Sequence, residues 1–287
     1  MNPVLLGTLA ALCWGMLDFM ASKIGRRIGP LPVAAAVTLF GLILITVWLL
    51  AFHELPVLSR SDIGWPIGAG VAVALATWWL FTAIASGPVS LAVPVTMSYP
   101  ATSVLLGALL GSVPSQTQLA FVALILFGAF LVAWGEAESE ARQDESPRRW
   151  RRTVIFAILA HLAFVFGVFA GQKSALLFDE IQTVWISRLA GSAIMLPLLL
   201  ARPASAGSRL SSLPALVAMG LLDVVGITLL FAAGKTDQPE LATVCATASG
   251  AITIVLARIF LKEKIAYLRW LGIVATFSGI AALSAMK

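Results

Sequence analysis

The chain has 287 residues, 60% of them apolar and 11% charged, with a mean hydropathy of +0.96. Soluble domains carry about 25% charged residues, and apolar runs of roughly 20 residues, enough to cross about 30 Å of hydrocarbon, recur along this chain, so a soluble fold is excluded. The net charge of +5 and pI of about 9.6 do not indicate nucleic acid, because the basic residues sit in short loops between apolar runs rather than on one face.

In chain order, apolar runs bounded by Gly, Pro and charge predict ten spans. Five fall at 4–22, 31–52, 65–85, 90–111 and 116–135, and five more at 153–171, 181–201, 213–233, 240–261 and 267–285. Between the two sets lies EAESEARQDESPRRWRR, with ten charged residues in seventeen. The expected fold is an all-α polytopic membrane protein of ten transmembrane helices. Two five-helix halves, 1–135 and 153–287, are joined by a charged linker, 136–152. The first run follows no positive n-region and continues past Asp18, so it is expected to stay as a helix of the mature chain. Cys13 and Cys245 fall inside spans, build no disulfide framework and read as small packing residues.

A shift of 151 residues lays 86–132 over 237–283 with nine identities in 47 pairs. Matches of Val or Leu carry little information in lipid. Thr96/Thr247, Ser98/Ser249 and Thr102/Thr253 carry more, because hydroxyls are a minority in these spans, and they indicate an internal repeat. Halves of five helices each must insert in opposite senses, giving an inverted repeat with a substrate site at the shared interface. Loop charge points the same way: fourteen Lys and Arg lie on the face of the linker and four on the other. That excess puts the linker in the cytoplasm and both termini outside, in a cell inner membrane.

The repeat supplies the first candidates for a substrate site. Thr96, Ser98 and Tyr99 lie midway along the fourth span between Pro94 and Pro100, and Thr247 and Ser249 lie at the matching depth of the ninth. Proline frees the carbonyl four residues back, so a kinked fourth span offers polar backbone to a ligand. The alternative is that these hydroxyls bond their own backbone and permit close packing. Trp14, Trp78 and Trp79 sit well inside spans and either line a cavity or face lipid. The Gly107-x-x-x-Gly111 and Gly167-x-x-x-Gly171 spacings allow close helix approach.

Ionisable residues inside spans cost roughly 2.5 to 3.5 kcal/mol each at a helix centre. They are Asp18, His161, Arg188 and Asp223. Asp18 is one turn from Trp14, on the same face. Arg188 either pairs with Asp223 across helices or meets a substrate carboxylate, and Asp18, His161 and Asp223 are candidates for coupling or ion pairing. ATASGA at 246–251, with His161 as base, is a faint outline of an intramembrane hydrolase. There is no metal-ligand cluster and no phosphate-cradling glycine loop, so no metal, cofactor or ATP-driven step is expected.

The Trp14-Gly15 pair, GPVSLAVPVTMSYPATSVLL at 87–106, Arg188, and ARIFLKEKIAYLRWLGIVATFSGI at 257–280 together resemble an EamA-type permease of the drug/metabolite transporter superfamily. The last segment contains Leu261-x-Glu263 followed by Gly272 and Gly279, and the likeness covers close to the full length. Ser112 stands in the first half where the family often has the counterpart glutamate, so no role is carried over to Glu263. The resemblance implies ten helices, a central cavity and outward transport of small metabolites, and is greatest to aromatic amino-acid exporters. It also implies cytoplasmic termini, against the charge count.

The function expected is alternating-access export of an amino acid with an aromatic or other apolar side chain. Trp14, Trp78 and Tyr99 would hold the side chain, the central hydroxyls the ammonium and Arg188 the carboxylate, with Trp79 also in the substrate-binding set. A multidrug or cation efflux carrier built on Asp18 or Asp223 is the alternative, and a channel is a further mechanism. The partners are a small-molecule substrate and the lipid bilayer. A monomer suffices, and the sequence assigns no oligomeric state.

Overall fold

A computed structural model of the chain describes residues 1–52, 56, 61–86, 95–96, 98–111, 114–140, 147–201, 212–261 and 267–286. Ser112, Glu263, the start of the repeated segment at 87–94 and the linker core at 141–146 lie outside the described residues. Asn2 opens α1 (Pro3–Ile28): its side-chain oxygen accepts the backbone N–H groups of Val4 at 2.9 Å and Leu5 at 3.4 Å. Pro3 occupies the first helical position, where no N–H is needed. One residue, Gly29, joins α1 to α2 (Pro30–Phe52), and its φ of +89° is open to glycine at little cost.

α3 (Gly64–Ser86), α4 (Tyr99–Leu109) and α5 (Gln116–Glu140) complete the first half. The second half holds α6 (Pro147–Phe178), α7 (Glu180–Leu200), α8 (Leu213–Ala232), α9 (Pro239–Ala246), α10 (Ala248–Leu261) and α11 (Tyr267–Ala285). The α6–α7 joint is again a single residue, Asp179, at φ 73°. Aspartate holds this left-handed conformation because its carboxylate caps α7, accepting from Ile181 N at 2.6 Å and Gln182 N at 3.2 Å.

Two expected spans are broken. In the fourth, Val95 and Thr96 are helical, Ser98 is a turn residue and α4 begins at Tyr99. Pro100, in its first turn, has no N–H to return to Thr96. In the ninth, Thr247 separates α9 from α10 and donates its backbone N–H three residues back, to Val244 at 3.1 Å. Helix also runs into both ends of the charged linker, to Glu140 and from Pro147. Glu and Arg are good helix formers, and proline suits a first turn.

Among the described residues, eight helical stretches are long and apolar enough to cross a membrane. Two shorter apolar helices, Tyr99–Leu109 and Gln116–Val132, lie at the expected fourth and fifth spans. The chain is a multi-pass membrane protein, and its outward faces suit lipid. Leu5, Leu9, Leu12 and Met16 on α1, and Ile155, Ile158, Leu162 and Phe166 on α6, are exposed at helical spacing, where a soluble helix would place polar groups.

α5 packs along α11, α3 along α6 and α7, α1 against α8, α9 and α10, and α2 against α7 and α8. Glycines set the closest approaches. A Cβ on Gly128 would come within 2.5 Å of Thr276 Oγ1, and one on Gly279 within 2.6 Å of Ile125. Shifting either contact by 151 residues produces the other. Gly167 and Gly171 fit against Val73 and Phe231. The other glycine pair does not work as a packing stripe: Gly107 lies against the Glu240 side chain, whereas Gly111 has open space and φ +98°, turning the chain after α4.

Gly70 of α3 backs onto the Ser187 carbonyl of α7, which a Cβ would approach to 2.0 Å. Gly70→Ala is expected to push the two helices apart and lower stability by about 1–3 kcal/mol, the range for overpacking. A fall in the thermal unfolding midpoint in detergent checks it.

Candidate functional site

Helices α1–α4 and α6–α10 line a central cavity of about 240 Å³. At its polar centre α7 and α8 bring Arg188 to Asp223, Nη2 to Oδ2, at 2.7 Å. Trp14 of α1 donates its indole N–H to the other carboxylate oxygen at 3.3 Å. Gly226 on α8 admits the indole, since a Cβ there would lie 2.9 Å from Trp14 Nε1. The Arg188 side chain is only 8% exposed, so its buried charge is offset by this partner.

Asp18, one turn beyond Trp14, lines the same cavity and is exposed within it. Among the described residues it has no hydrogen-bond or salt-bridge partner. Among the described residues, the lining carries two carboxylates and one guanidinium, a formal charge of one negative. Trp14, Tyr99, Phe164 and Phe231 supply aromatic wall, with the Tyr99 and Phe164 rings 5.4 Å apart. The Tyr99 hydroxyl bonds no described residue, which leaves it for a ligand or water.

Most lining hydroxyls are already used. Thr38 donates to Ala34 O at 2.9 Å, Thr77 to Val73 O at 2.9 Å, Thr247 to Val244 O at 2.7 Å and Ser187 to Pro66 O at 2.9 Å. Ser249 also lines the cavity. Of the residues singled out in the sequence, Trp14, Asp18, Tyr99, Arg188, Asp223, Thr247 and Ser249 come together here.

Trp78, Trp79, Thr96, Ser98 and His161 lie outside the lining. On α3 the inward stripe is Gly70, Val73, Ala74, Thr77 and Leu80, and neither tryptophan shares it. Trp78 packs instead on Leu31, Ala35, Ala74 and Met195, and Trp79 is half-buried. Thr96 is buried, with its hydroxyl 3.4 Å from Ala157 O. His161 is engaged with Ser98, Val95 and Thr102, so the hydrolase outline of His161 with Ser249 is not assembled. Ser98 gives its own proton to Val95 O at 2.7 Å, which is no arrangement for a nucleophile.

Phe164, Phe231, Thr38 and Ser187 also line the cavity, without having stood out in the sequence. The usable signals were spacing: Phe164 follows His161 by one turn, Phe231 follows Asp223 by two, and Ser187 precedes Arg188.

A multi-pass helical bundle around a central, partly charged cavity is an arrangement that small-solute transporters use. The profile of the EamA-like transporter family matches residues 1–134 and again 151–285. The chain belongs to this family, within the drug/metabolite transporter superfamily, whose EamA members are transporters rather than enzymes. One solved structure, described only as "Crystal structure of protein", superposes with a TM-score of 0.79 over 98% of this chain and 95% of its own. At 18% identity it is a likeness of fold alone. No curated protein matches the chain in sequence.

Proposed function

We propose that the chain is an inner-membrane secondary transporter that exports a small amine-bearing metabolite by alternating access, first an amino acid with an apolar or aromatic side chain. The observation that carries this reading is one cavity holding a neutralised Arg188–Asp223 pair, a free Asp18 carboxylate and an aromatic wall. The ammonium goes to Asp18 rather than to the central hydroxyls, most of which are spent on backbone carbonyls. The substrate carboxylate meets Arg188, of which Nη2 alone is engaged among the described residues. The side chain packs among Trp14, Tyr99 and Phe164, with Thr247 and Ser249 at the polar edge. Trp78, Trp79, Thr96 and Ser98 leave the binding set.

Ten spans in two inverted five-helix repeats fit this mechanism. Their support is the two separate family matches, the single-residue joints at Gly29 and Asp179, the reciprocal Gly128 and Gly279 contacts, and the breaks in the fourth and ninth spans. The charge bias keeps the linker cytoplasmic. In a Cys13→Ala/Cys245→Ala background, Ser146→Cys is expected to react with a membrane-impermeant thiol reagent only after the cells are permeabilised. Labelling of intact cells would reverse the orientation.

The net negative cavity favours a second reading, efflux of an organic cation. Uptake into proteoliposomes separates the two. Saturable flux of labelled phenylalanine or leucine is expected. Absence of saturable flux for every aromatic and branched amino acid would remove the amino-acid reading, and flux of a quaternary ammonium ion alone would establish the second.

A further inference from the structure

The fourth span is broken next to the residue it lends to the cavity, Tyr99, and α6 grips that break from behind. Val95 O accepts the Ser98 hydroxyl at 2.7 Å and lies 3.2 Å from His161 Nδ1. The same ring nitrogen is 3.1 Å from Ser98 Oγ, and Nε2 is 2.9 Å from Thr102 Oγ1. A carbonyl only accepts, so Nδ1 carries the proton, and in the neutral ring Nε2 accepts from Thr102. One turn earlier on α6, Ala157 O receives the Thr96 hydroxyl, and one turn later Phe164 meets the Tyr99 ring. Positions 157, 161 and 164 share one face of the helix.

We infer that His161 is a positioning residue for the substrate site: it splints the broken fourth span so that Tyr99 stays in the cavity. This rests on the cavity being the substrate site. The imidazole stands outside the lining yet bonds along the whole break, before it at Val95, in it at Ser98 and after it at Thr102. Loss of the ring removes the side-chain bonds that tie the two sides of the turn together, while Tyr99 keeps its packing on Phe164, Leu6, Val168 and Leu230.

The chain has two tyrosines, Tyr99 and Tyr267, so fluorotyrosine-labelled protein gives two fluorine resonances, assigned with Tyr267→Phe. His161→Ala is expected to move or broaden the Tyr99 resonance and leave that of Tyr267 in place. His161→Gln, which keeps a donor and an acceptor, is expected to restore it. Thr102→Val removes one bond with less risk to folding and is expected to give a smaller shift of the same kind.

In uptake of labelled phenylalanine, His161→Ala is expected to raise the half-saturation concentration about tenfold with a maximal rate changed less than about threefold. His161→Gln is expected to recover both. An unmoved Tyr99 resonance in both His161→Ala and Thr102→Val overturns the inference. A moved resonance in a protein whose unmutated form shows no saturable uptake supports the splint and overturns the substrate reading instead.

Discussion

Replacing Arg188 with alanine is expected to abolish transport and to destabilise the fold by about 3–5 kcal/mol, the range for removing one partner of a buried ion pair. Asp223, with 18% of its side chain exposed, would keep only the Trp14 N–H as a partner among the described residues. Asp18 and Asp223 would then share one cavity with no counter-charge among the described lining residues. The double variant Arg188→Met/Asp223→Leu separates the two effects. It removes both charges, so its unfolding midpoint in detergent is expected to return to near that of the unmutated protein while uptake stays absent. If Arg188→Ala unfolds like the unmutated protein, the pair contributes nothing to the bundle and the reading of the cavity's polar centre fails.

Asp18→Asn is expected to act the other way, with stability kept and affinity lost. Asp18 has no partner among the described residues to leave unsatisfied, and its removal reduces the negative charge of the cavity. One charge-assisted hydrogen bond is worth about 1.5–3 kcal/mol, so the half-saturation concentration for an amine-bearing substrate should rise about 10- to 150-fold. A desamino analogue of the same substrate should compete equally well against both proteins. An equal loss for amine and desamino compounds would show that Asp18 acts on the fold and not on the ammonium.

These expectations follow from features the sequence displays unevenly. Membrane class was legible because an apolar run of about 20 residues has few other uses. Rare in-span charges were legible for a similar reason, and three of the four, Asp18, Arg188 and Asp223, line the cavity. Whether Arg188 faced Asp223 or a substrate was not legible, since that choice depends on how α7 and α8 meet in space. Trp78 and Trp79 illustrate the same limit. A helix apolar on every side shows no inward face in its sequence, and α3 turns Thr77 to the cavity rather than its neighbours.

The breaks at Ser98 and Thr247 were half visible. Pro94 and Pro100 announce the first, whereas the ninth span has no proline near Thr247 to announce the second. Phe164 and Phe231 carried only the weak mark of their helical spacing from His161 and Asp223, because an aromatic in a lipid-facing helix reads the same as one in a wall. Glycine was the most informative residue in the end. Gly70, Gly128, Gly171 and Gly279 each sit where a neighbouring helix leaves no room for a Cβ.

The most direct measurement is counterflow in proteoliposomes holding this chain alone and preloaded with unlabelled phenylalanine. Transient accumulation of external labelled phenylalanine above its equilibrium level is expected, saturable with concentration and lost in Asp18→Asn at the same substrate level. Label that merely equilibrates, at a rate linear in concentration and unaffected by Asp18→Asn, would contradict a carrier with its site in the central cavity.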